Sequence, residues 1–434
     1  MFIPRPLYNV LLYTAKPLAW MYLSKRAKKQ PEYNDHWDER FGKGKYPKPQ
    51  EGRTRIWIHA VSVGEMRATI PLIEGILHRW YNVDIMLTCM TPTGRAVAET
   101  IIGRFAHRVV VCYLPYDTEG YMTRFMKQTK PALCLLMETE VWPNLTYVAQ
   151  KLNIPVLLVN ARLSEKSLQK SMKVKSLIMP AMGRLKMTLA QSQDDAERLI
   201  KLGCKDVQVV GNLKFDYVPN SAQLRIAAEF KKMAQRPILI LASSRDGEEY
   251  SFLKTVEEQK KNWGDKKPLV IIIPRHPQRF KEVLKLIQGT GKSVLSRSQI
   301  RNWREALSQN GPEYILGDSM GEMALYYALG DVALMGGSYA PFGSQSMIEP
   351  CSIGIPTVVG PSTFNFSDAV EEAEKAGAIL RAQDFEEGVR KAYDLMNNQE
   401  EWNKVHQNAL LFAESQRGAT ERIIKMVDKV LSEG

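Results

Sequence analysis

Cysteine is scarce in this chain, and its placement argues against two common uses of the residue. The five cysteines among 434 residues are scattered and odd in number, and no two form a Cys-x-x-Cys pair. That pattern disfavours both a disulfide framework and a zinc site, so we expect a reducing, cytosolic setting. The cysteines are Cys89, Cys112, Cys134, Cys204 and Cys351.

Several sequence motifs of catalysis are also absent. No Gly-x-Gly-x-x-Gly follows the first predicted strand of either half, and there is no complete Gly-x-x-x-x-Gly-Lys-Ser or Gly-Lys-Thr phosphate-binding loop. The Gly-x-Ser-x-Gly elbow of serine hydrolases is missing, and no cluster of His, Cys and Asp has metal-ligand spacing. These absences disfavour dinucleotide chemistry and nucleotide hydrolysis. They predict an activity that needs no metal and no cofactor.

No apolar run is long enough to predict a membrane-spanning helix. The aromatic-rich run from Leu7 to Leu23 is broken at Lys16 and Pro17, and falls short of the roughly 20 apolar residues that a span needs. Residues 1–30 carry six basic side chains and no acidic one, and most of the bases follow the apolar run, which opposes a cleaved signal peptide. We therefore expect an interfacial anchor on an anionic membrane surface. The alternative is an amphipathic helix packed on its own domain.

The chain is long and basic. Its 434 residues exceed the size of one growing core, so two domains are expected, and its net charge of +12 favours anionic partners. Two series of short apolar runs alternate with helix-length segments, which predicts two parallel sheets buried on both faces, an α/β fold with two doubly wound domains facing across a cleft. The predicted division is an anchor at 1–30, a first domain at 31–219, a linker at 220–236, and a second domain with C-terminal helices at 237–434.

The strongest catalytic candidate follows the first predicted strand. Ile56 to Val61 runs into Ser62-Val63-Gly64-Glu65, where a helix starts. In open α/β sheets ligands bind at the carboxyl ends of strands, so Glu65 is a candidate general base. The other interpretation is a helix-start glutamate that favours the helix dipole.

Further polar groups follow later strands of the first half. Glu138 and Glu140 come directly after a strand that ends at Met137, and Arg162 and Lys214 are cations at predicted strand ends. The acids could instead cap and solvate a helix, and the cations could form salt bridges with them. A cation at this edge could offset negative charge on a leaving group.

In the second half, an anion-binding pattern follows a predicted strand. Pro274-Arg275-His276-Pro277 comes directly after Leu269 to Ile273, and Gly317 to Met323 opens a helix with free amides. Gly336-Gly337-Ser338 leads towards Glu349, whose carboxylate could accept hydrogen bonds from a ribose diol.

Together and in order, these segments resemble the bacterial 3-deoxy-D-manno-octulosonic acid (Kdo) transferases of lipopolysaccharide inner-core synthesis. The resemblance extends from the amino terminus to about Phe366. It implies a membrane-associated GT-B glycosyltransferase with two Rossmann-like domains, an acceptor domain followed by a donor domain. The implied reaction is inverting, metal-independent transfer from CMP-Kdo to a phosphorylated lipid A precursor (lipid IVA), at the cytoplasmic face of the bacterial inner membrane.

The resemblance also assigns roles to residues. It implies that Glu65 is the general base and that Glu138 or Glu140, with Lys214, supports the transition state. It implies a CMP-Kdo binding surface made of Pro274, Arg275, His276, Met320, Gly321, Glu322, Ser346, Met347, Ile348 and Glu349. Where family members commonly read Gly-His-Asn-Pro-Leu-Glu-Pro, this chain has Ser344 to Pro350, so Ser346 replaces the asparagine.

Two alternatives remain at this point. A heptosyltransferase or a UDP-sugar transferase would share the fold and use another donor. A membrane-tethered nucleic-acid binder would explain the charge, but the bases do not alternate with aromatic side chains and the acids cluster at strand ends. We therefore expect no nucleic-acid partner.

Overall fold

The computed structural model describes residues 2–105, 107–264 and 267–433. Met1 and Gly434, the first residue of the predicted anchor and the last of the predicted second domain, lie outside the described residues. The chain forms two compact units. Unit 1 comprises Met1–Asp216 and Gln416–Gly434, and unit 2 comprises Tyr217–Ser415.

The described part of unit 1 contains seven strands in one parallel sheet, in the order β3-β2-β1-β4-β5-β6-β7. Its strands are β1 (Thr54–His59), β2 (Val83–Cys89), β3 (Val109–Tyr113), β4 (Leu133–Met137), β5 (Val156–Ala161), β6 (Met187–Ala190) and β7 (Val207–Val209). Its helices are α1 (Arg5–Thr14), α2 (Lys16–Ala27), α3 (Trp37–Arg40), α4 (Val63–Ala68), α5 (Ile70–Arg79), α6 (Pro92–Arg104), α7 (Glu119–Thr129), α8 (Pro143–Lys151), α9 (Glu165–Met172), α10 (Lys175–Met182), α11 (Gln193–Lys201) and, from the end of the chain, α21 (Ala419–Ser432).

The described part of unit 2 contains a second parallel sheet, in the order β10-β11-β9-β8-β12-β13-β14. Its strands are β8 (Ile238–Ser244), β9 (Leu269–Pro274), β10 (Val294–Ser296), β11 (Tyr314–Leu316), β12 (Val332–Met335), β13 (Thr357–Val359) and β14 (Leu380–Arg381). Its helices are α12 (Ser221–Met233), α13 (Glu248–Gln259), α14 (Phe280–Gln288), α15 (Trp303–Ala306), α16 (Met323–Leu329), α17 (Ile348–Ile353), α18 (Ser367–Lys375), α19 (Phe385–Asn397) and α20 (Gln399–Ser415).

The central strands are buried on both faces, which is why they read as continuous apolar runs. In β1, Ile56 and Ile58 join the core on one face of the sheet, and Trp57 joins the core on the other. Alternate side chains of a strand point to opposite faces, so helices cover both sides of the sheet. One buried pair of charges interrupts this pattern. Arg55 and Asp84, neighbours in register on β1 and β2, form a bidentate salt bridge at 2.7 and 2.8 Å.

The strands that the sequence pattern missed lie at sheet edges. β7 ends the first sheet, and β10 and β14 are the two edges of the second. Each has only two or three residues and is partly exposed. An edge strand has fewer neighbours to bury it, so it lacks the long apolar run by which central strands are recognised.

Two boundaries differ from the sequence-based division. The segment 220–236 contains α12, which packs on α16 and belongs to unit 2 rather than to a separate linker. Helix α21 was expected in the second domain, but it packs on α5 in unit 1. The physical reason is its apolar face, because Ala419, Ile423 and Val427 are fully buried in the core of the first sheet.

Helix α1 is held on unit 1 by its polar side chains. Arg5 forms a salt bridge with Glu119 at 2.7 Å, the Tyr8 hydroxyl donates to Asp117 at 3.1 Å, and the Asn9 side chain accepts from the Glu119 amide at 2.9 Å. These contacts agree with the packed-helix alternative. Among the described residues, no helix combines the length and the apolar character needed to cross a membrane.

The same amino-terminal region also presents apolar side chains to solvent. On α2, Leu18, Trp20 and Met21 are 67%, 55% and 61% exposed. Beside them lies an open pocket of about 400 Å³ with an aromatic wall and two lysines. Its lining residues are Lys16, Pro17, Trp20, Trp37, Asp38, Phe41 and Lys43. Packing on unit 1 therefore leaves this apolar surface, which we call the amino-terminal apolar face, uncovered.

Candidate active site

Glu65 lies in the first turn of α4, just beyond the carboxyl end of β1. Ser62 is the N-cap, and its hydroxyl donates to one carboxylate oxygen of Glu65 at 2.8 Å. The Val61 amide donates to the other oxygen at 2.9 Å. The turn therefore fixes the Glu65 carboxylate at both oxygens, as in a capping box.

The position of this turn in the sheet favours ligand binding. The strand order of the first sheet reverses between β1 and β4, the two strands that carry Glu65 and Glu138 at their ends. Ligands of open α/β sheets bind at such a switch point. Glu138 has a φ of 52°, a conformation that few non-glycine residues adopt. Backbone strain of this kind is concentrated at functional sites.

The predicted residues of the first half come together here. The Lys214 ammonium lies 3.4 Å from a carboxylate oxygen of Glu138. Burial raises the pKa of Glu65, hydrogen bonds from Val61 and Ser62 lower it, and the nearby charge of Glu138 raises it further. Lys214 also acts on this pKa, and the charges of Glu65 and Glu138 act on the pKa of Glu140. Glu65, Glu138, Glu140 and Lys214 therefore share one electrostatic environment.

Glu140 is the second carboxylate of this cluster with a perturbed pKa. It accepts a hydrogen bond from the indole N–H of Trp142 at 3.0 Å. Burial raises its pKa to about 7, and the charges of Glu65 and Glu138 add to that shift. Like charges in a partly buried site disfavour simultaneous ionisation, so the cluster can hold a proton near neutral pH.

A buried histidine packs against Trp142, the residue that donates to Glu140. The His59 ring at the end of β1 lies 5.4 Å from the Trp142 ring, edge to face, and contacts the Thr88 hydroxyl at 2.8 Å. Burial lowers its pKa to about 3, so the imidazole is neutral. His59 could not be recognised as a site residue from sequence, because nothing local distinguishes it from an ordinary strand residue.

Lys214 is positioned by a 3-10 turn that other segments hold in place. The turn spans Leu213–Asp216, and its first amide donates to the Asn160 side chain at 2.9 Å. At its end, the Asp216 carboxylate accepts from the amides of Gly418 and Thr420, at 2.6 and 2.5 Å. The start of α21 therefore helps to hold the lysine turn.

In unit 2, the predicted donor segments follow the carboxyl ends of strands in the second sheet. Pro274 ends β9, and the Arg275 amide donates to the Ser244 carbonyl at 3.0 Å. The charges of Arg275 and Glu349 both act on the pKa of the buried Tyr327, which burial raises most. These two predicted residues, distant in sequence, therefore lie near one side chain.

The segments at 320–322 and 346–348 contain both accessible and buried residues. Met320 is 58% exposed, Gly321 has a φ of 78°, and Glu322 pairs with Arg297 at 2.9 Å. The hydroxyl of Ser346 accepts from the Ile348 amide. The side chains of Met347 and Ile348 are buried, so these residues can offer a ligand only their backbone.

One departure from the family pattern has a structural meaning. Ser344, which the resemblance places at the glycine of the family motif, has a φ of 70° and is buried. Glycine adopts this left-handed conformation without steric cost. The serine therefore occupies a backbone position suited to glycine.

The described residues contain no group of three or more His, Cys, Asp or Glu side chains placed to hold a metal ion. The cluster in unit 1 can instead do acid–base chemistry. It places a carboxylate with a raised pKa beside a second carboxylate and an ammonium group.

Comparison with known proteins identifies the family. A sequence profile described as 3-Deoxy-D-manno-octulosonic-acid transferase (kdotransferase) matches residues 35–217. The 3-deoxy-D-manno-octulosonic acid transferase of Bordetella pertussis is 36% identical over 433 residues, which cover 98% of this chain and 99% of that protein. This chain belongs to the Kdo transferase family. The corresponding enzyme of Haemophilus influenzae is 30% identical over 432 residues, 98% of each chain.

The family resemblance predicted from sequence is confirmed, and so is the assignment as a glycosyltransferase. A solved glycosyltransferase from Rickettsia africae matches 88% of this Kdo transferase family member and 100% of its own chain, with a TM-score of 0.57. At 12% identity that match concerns the fold alone. It agrees with the predicted α/β architecture of two parallel-sheet domains, a GT-B-like fold.

Proposed function

We propose that this enzyme transfers Kdo from CMP-Kdo to a hydroxyl of a phosphorylated lipid A precursor, by inverting, metal-independent displacement. Unit 1 is the acceptor domain and unit 2 is the donor domain. Glu65 is the general base that takes the proton of the acceptor hydroxyl.

The environment of Glu65 is the observation that carries this proposal. Its carboxylate is fixed at both oxygens by Val61 and Ser62, and lies at the switch point of the first sheet. Its pKa is raised by burial. A carboxylate with a raised pKa accepts a proton more readily than an exposed glutamate does.

Lys214 and the carboxylates beside it supply the remaining charge. CMP is a good leaving group, so the protein must mainly orient the alcohol, remove its proton and offset the negative charge that develops. We assign this task to the ammonium of Lys214, which lies 3.4 Å from Glu138. Glu138 orients Lys214, and Glu140 remains near the site with a pKa of about 7.

The donor surface belongs to unit 2. Arg275 and His276 bind the phosphate of CMP, and the segments Met320 to Glu322 and Ser346 to Glu349 bind its nucleoside. Arginine suits this task because its guanidinium makes paired, charge-assisted hydrogen bonds to phosphate oxygens.

The amino-terminal apolar face rests on the cytoplasmic side of the inner membrane. Trp20 and Met21 enter the headgroup region, and the cluster of bases from Lys25 to Lys29 contacts anionic lipid. The contacts of Arg5 and Tyr8 hold this face on the same unit as Glu65. The acceptor, itself a lipid, is thereby presented to the acceptor domain.

Mass spectrometry tests donor, acceptor and base together. A tetra-acylated lipid A precursor is incubated with CMP-Kdo and either wild type or Glu65→Gln. We expect a Kdo mass increment with wild type and none with the variant over the same time. The number of increments gives the number of sugars transferred. No increment with wild type would refute the donor and acceptor, and equal increments with both proteins would refute the base.

A further inference from the structure

The structure contains a basic side chain at the switch point of the second sheet that neither the motifs nor the family resemblance singled out. The strand order reverses between β8 and β12, and Arg245 directly follows β8. It therefore occupies the place in unit 2 that the Glu65 turn occupies in unit 1. Such a position faces the ligand in open α/β sheets.

The backbone that carries Arg245 is unusual and firmly held. Ser243 has a φ of 56°, and the register between β8 and β9 shifts at this point. The buried Glu248 carboxylate accepts hydrogen bonds from the amides of Arg245, Gly337 and Tyr339, at 2.8, 2.7 and 3.0 Å. One carboxylate thus ties the turn after β8 to the glycine turn after β12.

The Arg245 side chain is supported by neutral groups. Its guanidinium donates to Nε2 of His276 at 2.9 Å and lies 4.5 Å from the centre of the Phe342 ring. Since Nε2 accepts, the His276 proton is on Nδ1 and the ring is neutral. Partial burial and the charges of Arg245, Arg275 and Arg279 lower the His276 pKa, which agrees with the neutral form.

Arg245 differs from its neighbour Arg279 in its charge partners. Arg279 forms ion pairs with Asp246, Glu249 and Glu282. Within the described ranges, Arg245 forms no ion pair. The charges of Arg245 and Arg275 both act on His276, so the two arginines lie near one ring. A guanidinium in such a basic environment, with no carboxylate paired to it, is stabilised strongly by an anionic ligand.

We propose that Arg245 is a further donor-binding residue, which holds the phosphate of a nucleoside monophosphate or its sugar ester together with Arg275 and His276. This inference rests on the proposed use of a CMP-linked donor. His276 has two roles in it: its Nε2 fixes the Arg245 guanidinium, and its Nδ1–H is a second neutral donor.

Calorimetry on the full-length protein tests the proposal, with CMP, cytidine and inorganic phosphate as probes. In Arg245→Gln the amide can still donate to His276, but the charge is lost. We expect CMP affinity to fall about tenfold or more, as for the loss of a charge-assisted hydrogen bond, while cytidine affinity is unchanged. Phosphate binding, where measurable in wild type, weakens as well. Arg245→Lys should recover part of the CMP affinity.

Arg301→Gln is the matched control, because Arg301 is an exposed arginine of the same unit. It should bind both probes as wild type does. Equal CMP affinity in wild type and Arg245→Gln would refute the role of Arg245, as would an equal loss of cytidine and CMP affinity, which would indicate a structural defect. A wild type that binds no CMP would refute the proposed donor itself, and the Arg245 proposal with it.

Discussion

Two helices of this protein, α4 and α19, begin with the same local arrangement in different surroundings. In both, the N-cap side chain accepts a hydrogen bond from the amide of a glutamate three residues later: Glu65 to Ser62 at 3.4 Å, and Glu387 to Asp384 at 2.9 Å. In both, that glutamate accepts from the amide before the N-cap, at 2.9 and 2.8 Å. As capping motifs the two glutamates are equivalent.

Their pKa values nevertheless move in opposite directions. The Lys391 ammonium lies 2.9 Å from Glu387 and donates to its carboxylate. This hydrogen bond, together with the one from the Gln383 amide, lowers the pKa of Glu387. Burial and the charge of Glu138 raise the pKa of Glu65. A capping role requires only an ionised carboxylate, which the site of Glu387 favours and the site of Glu65 opposes. The comparison therefore supports a role for Glu65 beyond capping, as a proton acceptor.

The largest difference should appear in catalysis. We expect Glu65→Gln to lower the transfer rate by about a hundredfold or more, because the amide keeps the shape but cannot accept the proton. Glu387→Gln removes an equivalent capping carboxylate and should leave the rate unchanged. Initial rates of Kdo transfer measure both. Similar rates in the two variants would mean that Glu65 only caps its helix.

The pH profile should report the surroundings of Glu65. The base must be ionised, so kcat/KM falls as the pH drops through its pKa, which is raised above that of an exposed glutamate. Glu138→Gln removes a negative charge near Glu65 and also removes the ion pair between Glu138 and Lys214. Both changes favour ionised Glu65, so the acid limb should move to lower pH. An unchanged limb would exclude Glu65 as the titrating base.

The caps themselves should contribute alike to stability. We expect Ser62→Ala and Asp384→Ala each to cost about 1 kcal/mol in the free energy of unfolding. Only Ser62→Ala should also change catalysis: its hydroxyl lowers the pKa of Glu65, so the acid limb of the rate should move to higher pH in the variant. Thermal melts and pH profiles of both variants test this. A pH shift in Asp384→Ala would contradict the assignment.

The smallest effect concerns the partner of Glu387. A carboxylate with a lowered pKa stabilises the fold above its unfolded pKa, and this contribution is lost as the pH falls through the folded value. Lys391→Met removes the main cause of the lowering, so the Glu387 pKa should rise towards that of an exposed glutamate. NMR titration of the carboxyl carbon measures the shift. No shift would mean that the Gln383 amide alone determines the pKa.

The comparison also indicates what sequence alone could predict. Ser-x-x-Glu and Asp-x-x-Glu are the same local pattern, so the start of each helix is predictable from its own residues. Sequence placed Glu65 at a strand end, because β1 is a clear apolar run. The shift of its pKa could not be read locally, because its main cause is burial, and the charges of Glu138 and Lys214 that also act on it come from distant parts of the chain.

Other features escaped the sequence analysis for related reasons. Arg245 follows a strand that was predicted, but an arginine in a polar turn is common, and it is distinguished by the sheet order, the Glu248 contacts and its hydrogen bond to His276, none of which is visible in the sequence. The edge strand β14 is too short to show a pattern. The place of α21 was predicted wrongly, because an amphipathic helix does not reveal which core covers its apolar face.

The place of α21 has a consequence for how the protein is made. A ribosome synthesises all of the first sheet and then the whole of unit 2 before residues 419–432 appear. Until then Ile423 and Val427 are missing from the core of the first sheet, and Asp216 lacks the amides that it holds in the finished fold. Domains usually fold in order of synthesis. Here the lysine turn, and with it unit 1, can be completed only after all of unit 2 has been synthesised.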